Sequence, residues 1–142
     1  MAISVLLVDD EEAFVEATAK RLTLRRFGVS TATRAEEAFA TLEKNPIDIV
    51  VLDVRMPDLD GIEATRTIKA SYPLVEVILL TGHANMEASL EGMKMGAFDY
   101  LLKPLNIDEL VYKIEDAYRK KELQEEKIRS LSSQTGKSGG GE

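Results

Sequence analysis

Five polar or charged side chains that could bind a ligand or react follow short apolar runs in this 142-residue chain: Asp9, Asp10, Asp53, Thr81 and Lys103. Three carboxylates held close together repel one another and raise one another's pKa unless a cation lies among them. Because only oxygen ligands are on offer, the expected ion is hard, and Mg²⁺ fits better than zinc or copper. Calcium is the weaker alternative, since the sequence lacks the spacing of a Ca²⁺-binding loop.

Such a cluster could take part in phosphoryl transfer. A carboxylate beside a divalent cation and a lysine can attack phosphorus and form an aspartyl phosphate. The metal and the ammonium group would neutralise the charge that develops on the transferred phosphoryl oxygens. Taken singly, the acids could instead cap a helix or start a turn, the threonine could be an ordinary strand residue, and the lysine could be solvated. Their joint occurrence after successive apolar runs favours a site.

The hydrophobic pattern predicts the strands and helices that hold these side chains. Five runs rich in Val, Ile and Leu predict strands at Ile3–Val8, Val29–Ala32, Ile47–Leu52, Val75–Leu80 and Phe98–Leu102. Helices are expected at Glu11–Phe27, Ala35–Lys44, Gly61–Ser71, Asn85–Met95 and from Ile107 onward. The alternation predicts an α/β fold with a mostly parallel sheet, and a ligand site at the carboxyl ends of its strands.

The last helix is longer than a sheet of this size needs, because no Gly or Pro interrupts residues 107–131. We expect a domain at residues 1–120, a helical extension at 121–133 and a flexible tail at 134–142, which lacks apolar side chains. Heptad-like positions 110, 114, 117, 121, 124, 128 and 131 are apolar except for the middle pair, Lys121 and Gln124. The extension is therefore either a solvated helix or a helix that pairs with another chain.

Composition excludes several classes of function. With 18 Lys and Arg against 25 Asp and Glu, the formal net charge is -7, so no direct nucleic acid binding and no membrane association is expected. The lack of Cys and the single His exclude disulfides, thiol nucleophiles and zinc sites of the Cys/His type. The apolar run Ile3–Val8 is too short for a signal peptide, so we expect a cytoplasmic protein.

Four segments carry the five side chains in a recognisable order and spacing: Val5–Glu11, Ile49–Gly61, Leu79–Ala84 and Gly96–Leu105. Together they resemble the receiver domains of response regulators in two-component signalling, over residues 3 to about 120. The resemblance implies a flavodoxin-like (βα)5 receiver domain at residues 1–120. Its five-stranded parallel sheet would have the order 2-1-3-4-5, with helices on both faces.

The resemblance also implies roles for individual residues. Asp53 would be phosphorylated by a sensor histidine kinase or a phosphotransfer protein, and Lys103 would contact the phosphoryl group. The Lys103–Pro104 peptide bond is expected to be cis, an isomer that is accessible mainly before proline. The ligands of Mg²⁺ would be Asp10, Asp53 and the backbone carbonyl of Arg55, with Asp9 acting through water.

A switch is implied as well, since phosphorylation adds charge and acceptor oxygens. The Thr81 hydroxyl would turn toward the phosphoryl group and Tyr100 would rotate into the vacated space, although Tyr100 could also be a half-buried residue with a wet hydroxyl. The rotation would reshape the face formed by the fourth helix, fifth strand and fifth helix. Gly82 would leave room for the phosphoryl group. Arg55 and His83 are hypothesised to slow dephosphorylation, although His83 could equally be a loop residue without a role.

Two interpretations of the output stay open. The chain is either a free-standing switch that binds a downstream effector, or the receiver part of a larger DNA-binding transcriptional regulator whose output domain is absent. A homodimer through the switch face or the last helix is compatible with both. A flavin- or nucleotide-binding module is disfavoured because the acidic stretch Asp9–Glu12 would repel phosphate, and an aspartate-nucleophile phosphatase because position 11 is Glu. We expect self-phosphorylation and autodephosphorylation only, not an enzyme with a separate substrate.

Overall fold

Strands and helices alternate along the described residues, except that three strands follow one another before the third helix. The structure, a computed structural model, describes residues 2–82 and 85–140, apart from the side chains of residues 134–140. The strands are β1 (Ser4–Val8), β2 (Gly28–Ala32), β3 (Ile49–Asp53), β4 (Arg55–Met56), β5 (Leu59–Asp60), β6 (Glu76–Thr81) and β7 (Asp99–Leu102). The helices are α1 (Glu12–Leu24), α2 (Ala35–Lys44), α3 (Gly61–Ser71), α4 (Met86–Lys94) and α5 (Ile107–Gly140).

Five parallel strands form the main sheet in the order β2-β1-β3-β6-β7. Counted within this sheet alone, the order is 2-1-3-4-5, so the predicted α/β fold class is confirmed. Val8 at the end of β1 is paired with Ala32 of β2 and Leu52 of β3. This register aligns the carboxyl ends of neighbouring strands, and the residues that follow them therefore meet at one edge.

The sheet is covered on both faces, which explains why its inner strands β1 and β3 are apolar at nearly every position. In β1, Leu6 and Val8 belong to a core cluster with buried residues of α2 and α3. Val5 and Leu7 point to the opposite face and belong to a second cluster with buried residues of α1 and α5. Successive strand residues face opposite sides, so a strand between two helical layers has to be apolar at every position.

Helix α1 ends earlier than the sequence pattern predicts. The expected helix extended to Phe27, whereas the observed helix ends at Leu24. Arg26 adopts a left-handed backbone with a φ of 72°, and the backbone N–H of Phe27 donates to the carbonyl of Leu22. These contacts form a Schellman-type helix end, which turns Phe27 into the core beside the sheet.

A small antiparallel hairpin, β4–β5, lies between β3 and α3 and was not predicted from the sequence. Arg55 is paired with Asp60, and Met56 with Leu59. The hairpin leads directly into α3 at Gly61, where an added Cβ would lie 2.7 Å from the backbone of Val54. Glycine is therefore required at this position by the close approach of two backbone segments.

The opposite edge of the sheet holds a buried ion-pair network that ties α5 down. Glu76, at the start of β6, is fully buried, and its carboxylate lies 3.4 Å from Lys69 and 3.2 Å from Lys120. Asp48 lies 3.1 Å from Lys121 of α5 and also accepts a hydrogen bond from the backbone N–H of Ser4. Two consecutive lysines of α5 therefore anchor the helix to the amino-terminal edge of the sheet.

Beyond these lysines α5 is exposed. Leu123, Ile128 and Leu131 have half or more of their surface accessible. The described backbone stays helical through residue 140, within the segment for which the sequence predicts a flexible tail. Once a helix is formed, each added residue gains a hydrogen bond at little cost; the mobility of this segment stays a prediction. No helix among the described residues is both long enough and apolar enough to cross a membrane.

Candidate functional site

The carboxyl edge of the main sheet brings together the three aspartates selected from the sequence. Asp9 and Asp10 follow β1, and Asp53 is the last residue of β3. One carboxylate oxygen from each lies within 4.8 Å of the others. Asp9 is fully buried, Asp10 is exposed and Asp53 has 14% of its side chain accessible. The cluster is therefore open to solvent on one side, where a ligand can enter.

Lys103 places its ammonium group among these acids. Its Nζ lies 2.6 Å from Oδ2 of Asp9 and 3.9 Å from Oδ1 of Asp53. The backbone N–H of Lys103 donates to the carbonyl of Thr81, which aligns the end of β7 with that of β6. The Lys103–Pro104 peptide bond is cis, as expected. The lysine thus reaches the site from the loop after β7, and its shortest contact is the ion pair with Asp9.

Both oxygens of Asp9 already have partners within the protein. Oδ1 accepts a hydrogen bond from the backbone N–H of Glu11 at 3.0 Å, and Oδ2 accepts one from Lys103. Asp10 and Asp53 present their carboxylates closer to solvent. Asp10 and Asp53 therefore have the more accessible carboxylates, and the roles of Asp9 through water and of Asp10 and Asp53 as direct metal ligands stay predictions.

The electrostatics of the site favour a cation. Burial raises the pKa of Asp53, the charges of Asp9 and Asp10 raise it further, and the opposing effects of Lys103 and the Arg55 backbone N–H leave it at about 6. For Lys103, burial acts to lower the pKa, but the hydrogen bond to Asp9 and the nearby acids outweigh it and raise the pKa. The single positive charge of Lys103 thus does not balance the negative charges of the three carboxylates. An all-oxygen set of this kind fits Mg²⁺.

The two predicted switch residues lie on neighbouring strands: Thr81 is the last residue of β6, and Tyr100 is the second residue of β7. Thr81 is buried, and its hydroxyl donates to the carbonyl of Gly82 at 3.0 Å. Tyr100 is half-buried and packs against the core cluster on the α2–α3–α4 side of the sheet. An added Cβ at Gly82 would meet no atom within 4 Å, so the space beside it is open.

Of the two residues predicted to slow dephosphorylation, only Arg55 lies among the described residues. Arg55 lies on β4 with an exposed side chain, two residues after Asp53. His83 lies outside the described residues. Its role therefore stays a prediction from the sequence.

Sequence reasoning missed two contacts of Lys103. Its Nζ lies 3.6 Å from the carboxylate of Glu11 and 4.6 Å above the centre of the Phe14 ring. In the sequence, Phe14 has the helical spacing to other apolar residues that is typical of a core position on the first helix. A lysine over an aromatic face is attracted by the ring. Only the fold could reveal this pair, since the two residues are far apart in the sequence.

Comparison with known proteins agrees with the geometry. The family model described as response regulator receiver domain matches residues 5–115. An NtrX-like response regulator of Rickettsia felis is 35% identical over 128 residues, covering 89% of this chain and 27% of the relative. The transcriptional regulatory protein ZraR of Escherichia coli K12 is 36% identical over 117 residues, covering 81% of this chain and 26% of the relative. This chain therefore spans about a quarter of the length of these relatives.

A solved structure of similar size supports the same conclusion. A response regulator receiver domain protein from Clostridium thermocellum superimposes with a TM-score of 0.82 at 35% sequence identity. The alignment covers 86% of this chain and 98% of that chain. The similarity thus includes nearly all of that chain and leaves out only a small part of this chain.

Proposed function

Because this chain belongs to the response regulator receiver domain family, we propose that Asp53 accepts a phosphoryl group and that this modification switches a binding surface. The observation that carries the proposal is the site itself. Asp53 is partly accessible, lies 3.9 Å from the Lys103 ammonium group and is clustered with two further aspartates. A carboxylate in these surroundings can act as a nucleophile toward phosphorus.

The proposed reaction uses one carboxylate oxygen of Asp53. This oxygen forms a bond to phosphorus while the bond between phosphorus and the donor breaks, and the donor leaves with the bonding electron pair. Lys103 would shift from Asp9 toward the phosphoryl oxygens and balance their charge. Mg²⁺, held by Asp10, Asp53 and the Arg55 carbonyl with Asp9 acting through water, would supply further charge neutralisation when bound.

The proposed switch begins with a change of hydrogen-bond partner at Thr81. Its hydroxyl donates to the Gly82 carbonyl and would exchange this partner for a phosphoryl oxygen, a stronger acceptor because it is charged. Tyr100 would then rotate into the space that Thr81 leaves. The affected surface consists of α4, β7 and α5, which we call the α4–β7–α5 face. Arg55 and His83 are proposed to slow the loss of the phosphoryl group.

The proposed partners follow from this chemistry. A sensor histidine kinase or a phosphotransfer protein would donate the phosphoryl group, and a downstream effector or output domain would bind the α4–β7–α5 face. The protein would catalyse only its own phosphorylation and dephosphorylation. The cytoplasm is the proposed compartment, because the proposed kinase takes its phosphoryl group from ATP.

A second candidate is the receiver of a larger DNA-binding transcriptional regulator. Two observations favour it: one relative is named a transcriptional regulatory protein, and this chain spans about a quarter of that relative's length. The exposed apolar side chains of α5, Leu123, Ile128 and Leu131, would suit a dimer-forming connection to an output domain.

Intact-protein mass spectrometry tests the proposal. The protein is incubated with Mg²⁺ and acetyl phosphate, beside an Asp53→Asn variant and a sample treated with a chelator. A single phosphoryl adduct that requires both Asp53 and Mg²⁺ is expected. An adduct that persists in Asp53→Asn would place the acceptor elsewhere and refute the assignment.

Transfer from a phosphorylated kinase and size-exclusion chromatography complete the test. If acetyl phosphate gives no adduct while Mg²⁺ binds, transfer from the kinase must label Asp53, and failure there would also refute the proposal. A dimer that appears only on phosphorylation would favour the transcriptional regulator. A monomer in both states would favour the free-standing switch.

A further inference from the structure

The amino-terminal end of α2 is capped by a residue that is distant in the sequence. The residue before the helix, Arg34, provides no side-chain cap. Instead, the backbone N–H of Ala35, the first helical residue, donates to Oδ2 of Asp58 at 3.1 Å. A carboxylate at this position also interacts favourably with the positive end of the helix dipole. Asp58 lies in the turn of the β4–β5 hairpin, so this contact joins the hairpin to α2.

The hairpin needs such a contact because it is very short. It pairs only two residues on each strand, and an isolated hairpin is at best marginally stable in water. Its base is anchored to α3: the N–H of Gly61 donates to the carbonyl of Val54 at 2.9 Å, and Asp60 accepts from the N–H of Ile62 at 2.9 Å. The bond between Asp58 and Ala35 anchors the turn at the opposite end.

This hairpin carries a backbone group of the proposed metal site. Arg55 is the first residue of β4 and lies two residues after Asp53. A backbone carbonyl cannot reorient without its chain segment, so its direction depends on how both ends of the hairpin are held. Groups that orient a metal ligand commonly matter almost as much as the ligand itself.

We propose that Asp58 is a positioning residue for the metal site. Its hydrogen bond to the α2 terminus holds the hairpin so that the Arg55 carbonyl completes the ligand set formed with Asp10 and Asp53. This inference rests on the proposed function, since it presupposes that Mg²⁺ binds at the aspartate cluster.

The structure allows the same hydrogen bond to be removed from either side. Asp58→Ala deletes the acceptor. Ala35→Pro deletes the donor, and its ring displaces the Asp58 side chain from the helix terminus. The helix itself should persist, because proline is well tolerated as the first residue of a helix. Arg34 already has the extended backbone, φ -143° and ψ 156°, that a residue before proline prefers. Asp58→Asn is the matched control, since it keeps an acceptor oxygen and removes only the charge.

Isothermal titration with Mg²⁺ measures the effect without relying on phosphorylation. Asp58→Ala and Ala35→Pro are each expected to weaken Mg²⁺ binding by roughly tenfold, the lower end of what the loss of an orienting group costs, and Asp58→Asn by less. The double variant with Ala35→Pro and Asp58→Ala is expected to bind no more weakly than either single variant, because both remove one shared contact. Far-UV circular dichroism checks that each variant is folded.

The outcomes separate this inference from the proposed function. If the unaltered protein binds Mg²⁺ and the two single variants bind it equally well, the positioning role is wrong and the metal site stands. If the effects of the single variants add in the double variant, they do not act through the shared bond, and the inference is also wrong. If the unaltered protein binds no Mg²⁺, the metal site of the proposed function fails, and the inference fails with it.

Discussion

Replacing Asp53 by Asn should stabilise the metal-free protein, although it removes the proposed phosphoryl acceptor. Burial and the charges of Asp9 and Asp10 raise the pKa of Asp53 from its ordinary value of 3.8 to about 6. The folded protein therefore holds this proton more tightly than the unfolded chain does. Stability then falls as pH rises from the unfolded pKa to the folded pKa, and the loss is complete above about pH 6.

The size of the effect follows from the two pKa values. The difference between 3.8 and about 6 corresponds to roughly 3 kcal/mol. Because the Asp53 side chain is partly accessible to solvent, at 14%, screening reduces this figure, and we expect a gain of about 1–2 kcal/mol. Asn has nearly the same shape as Asp and carries no charge, so the gain should derive from removing the cost of burying a charge and from relieved repulsion by Asp9 and Asp10.

Urea unfolding followed by far-UV circular dichroism measures the gain, because the chain has no Trp to report on unfolding. In the presence of a chelator, Asp53→Asn should be more stable than the unaltered protein at about pH 7.5 and nearly equal to it at about pH 4. Saturating Mg²⁺ should stabilise the unaltered protein more than the variant, since only the former keeps the full ligand set. Glu43→Gln, at an exposed position of α2, controls for the change in net charge.

Two results would refute this reasoning. One is an Asp53→Asn protein that is no more stable than the unaltered protein at about pH 7.5 without metal. The other is a gain of the same size at both pH values, which would show that its origin is not the ionisation of Asp53.

Three further predictions concern unfolding free energies near neutral pH, measured in the same assay. Lys103→Met should cost about 3 kcal/mol without metal, because it leaves the fully buried Asp9 without a cation; Mg²⁺ should restore part of the loss, and unchanged stability would contradict the ion pair. Gly61→Ala should cost about 1–3 kcal/mol, because its Cβ would lie 2.7 Å from neighbouring backbone. Gly82→Ala, whose Cβ would meet nothing within 4 Å, should cost much less, and equal losses would argue against the close approach. Glu76→Ala should cost about 2 kcal/mol, because Lys69 and Lys120 each lose a charged contact to a fully buried carboxylate, and a neutral result would mean that the network contributes nothing.

Much of the fold was accessible from local patterns. Continuous apolar runs predicted the five strands of the main sheet, and α2 (Ala35–Lys44) and α3 (Gly61–Ser71) have the predicted bounds. These features depend on residues close together in the chain, because hydrophobic periodicity and the positions of Gly and Pro are local signals. The β4–β5 hairpin was missed for the same reason, since strands of two residues leave no periodicity to detect.

Local sequence patterns also identified the side chains that meet at the site. In a parallel sheet, the residues after successive strands share one edge, so Asp9, Asp10, Asp53 and Lys103 could be grouped before any coordinates were considered. The tertiary structure decided which partner each group has. Lys103 bonds to Asp9, 94 residues away, more closely than to Asp53, and Asp58 caps a helix that begins 23 residues earlier. Differences of an ångström between competing partners depend on the packing of the whole domain, and local sequence patterns carry no information about them.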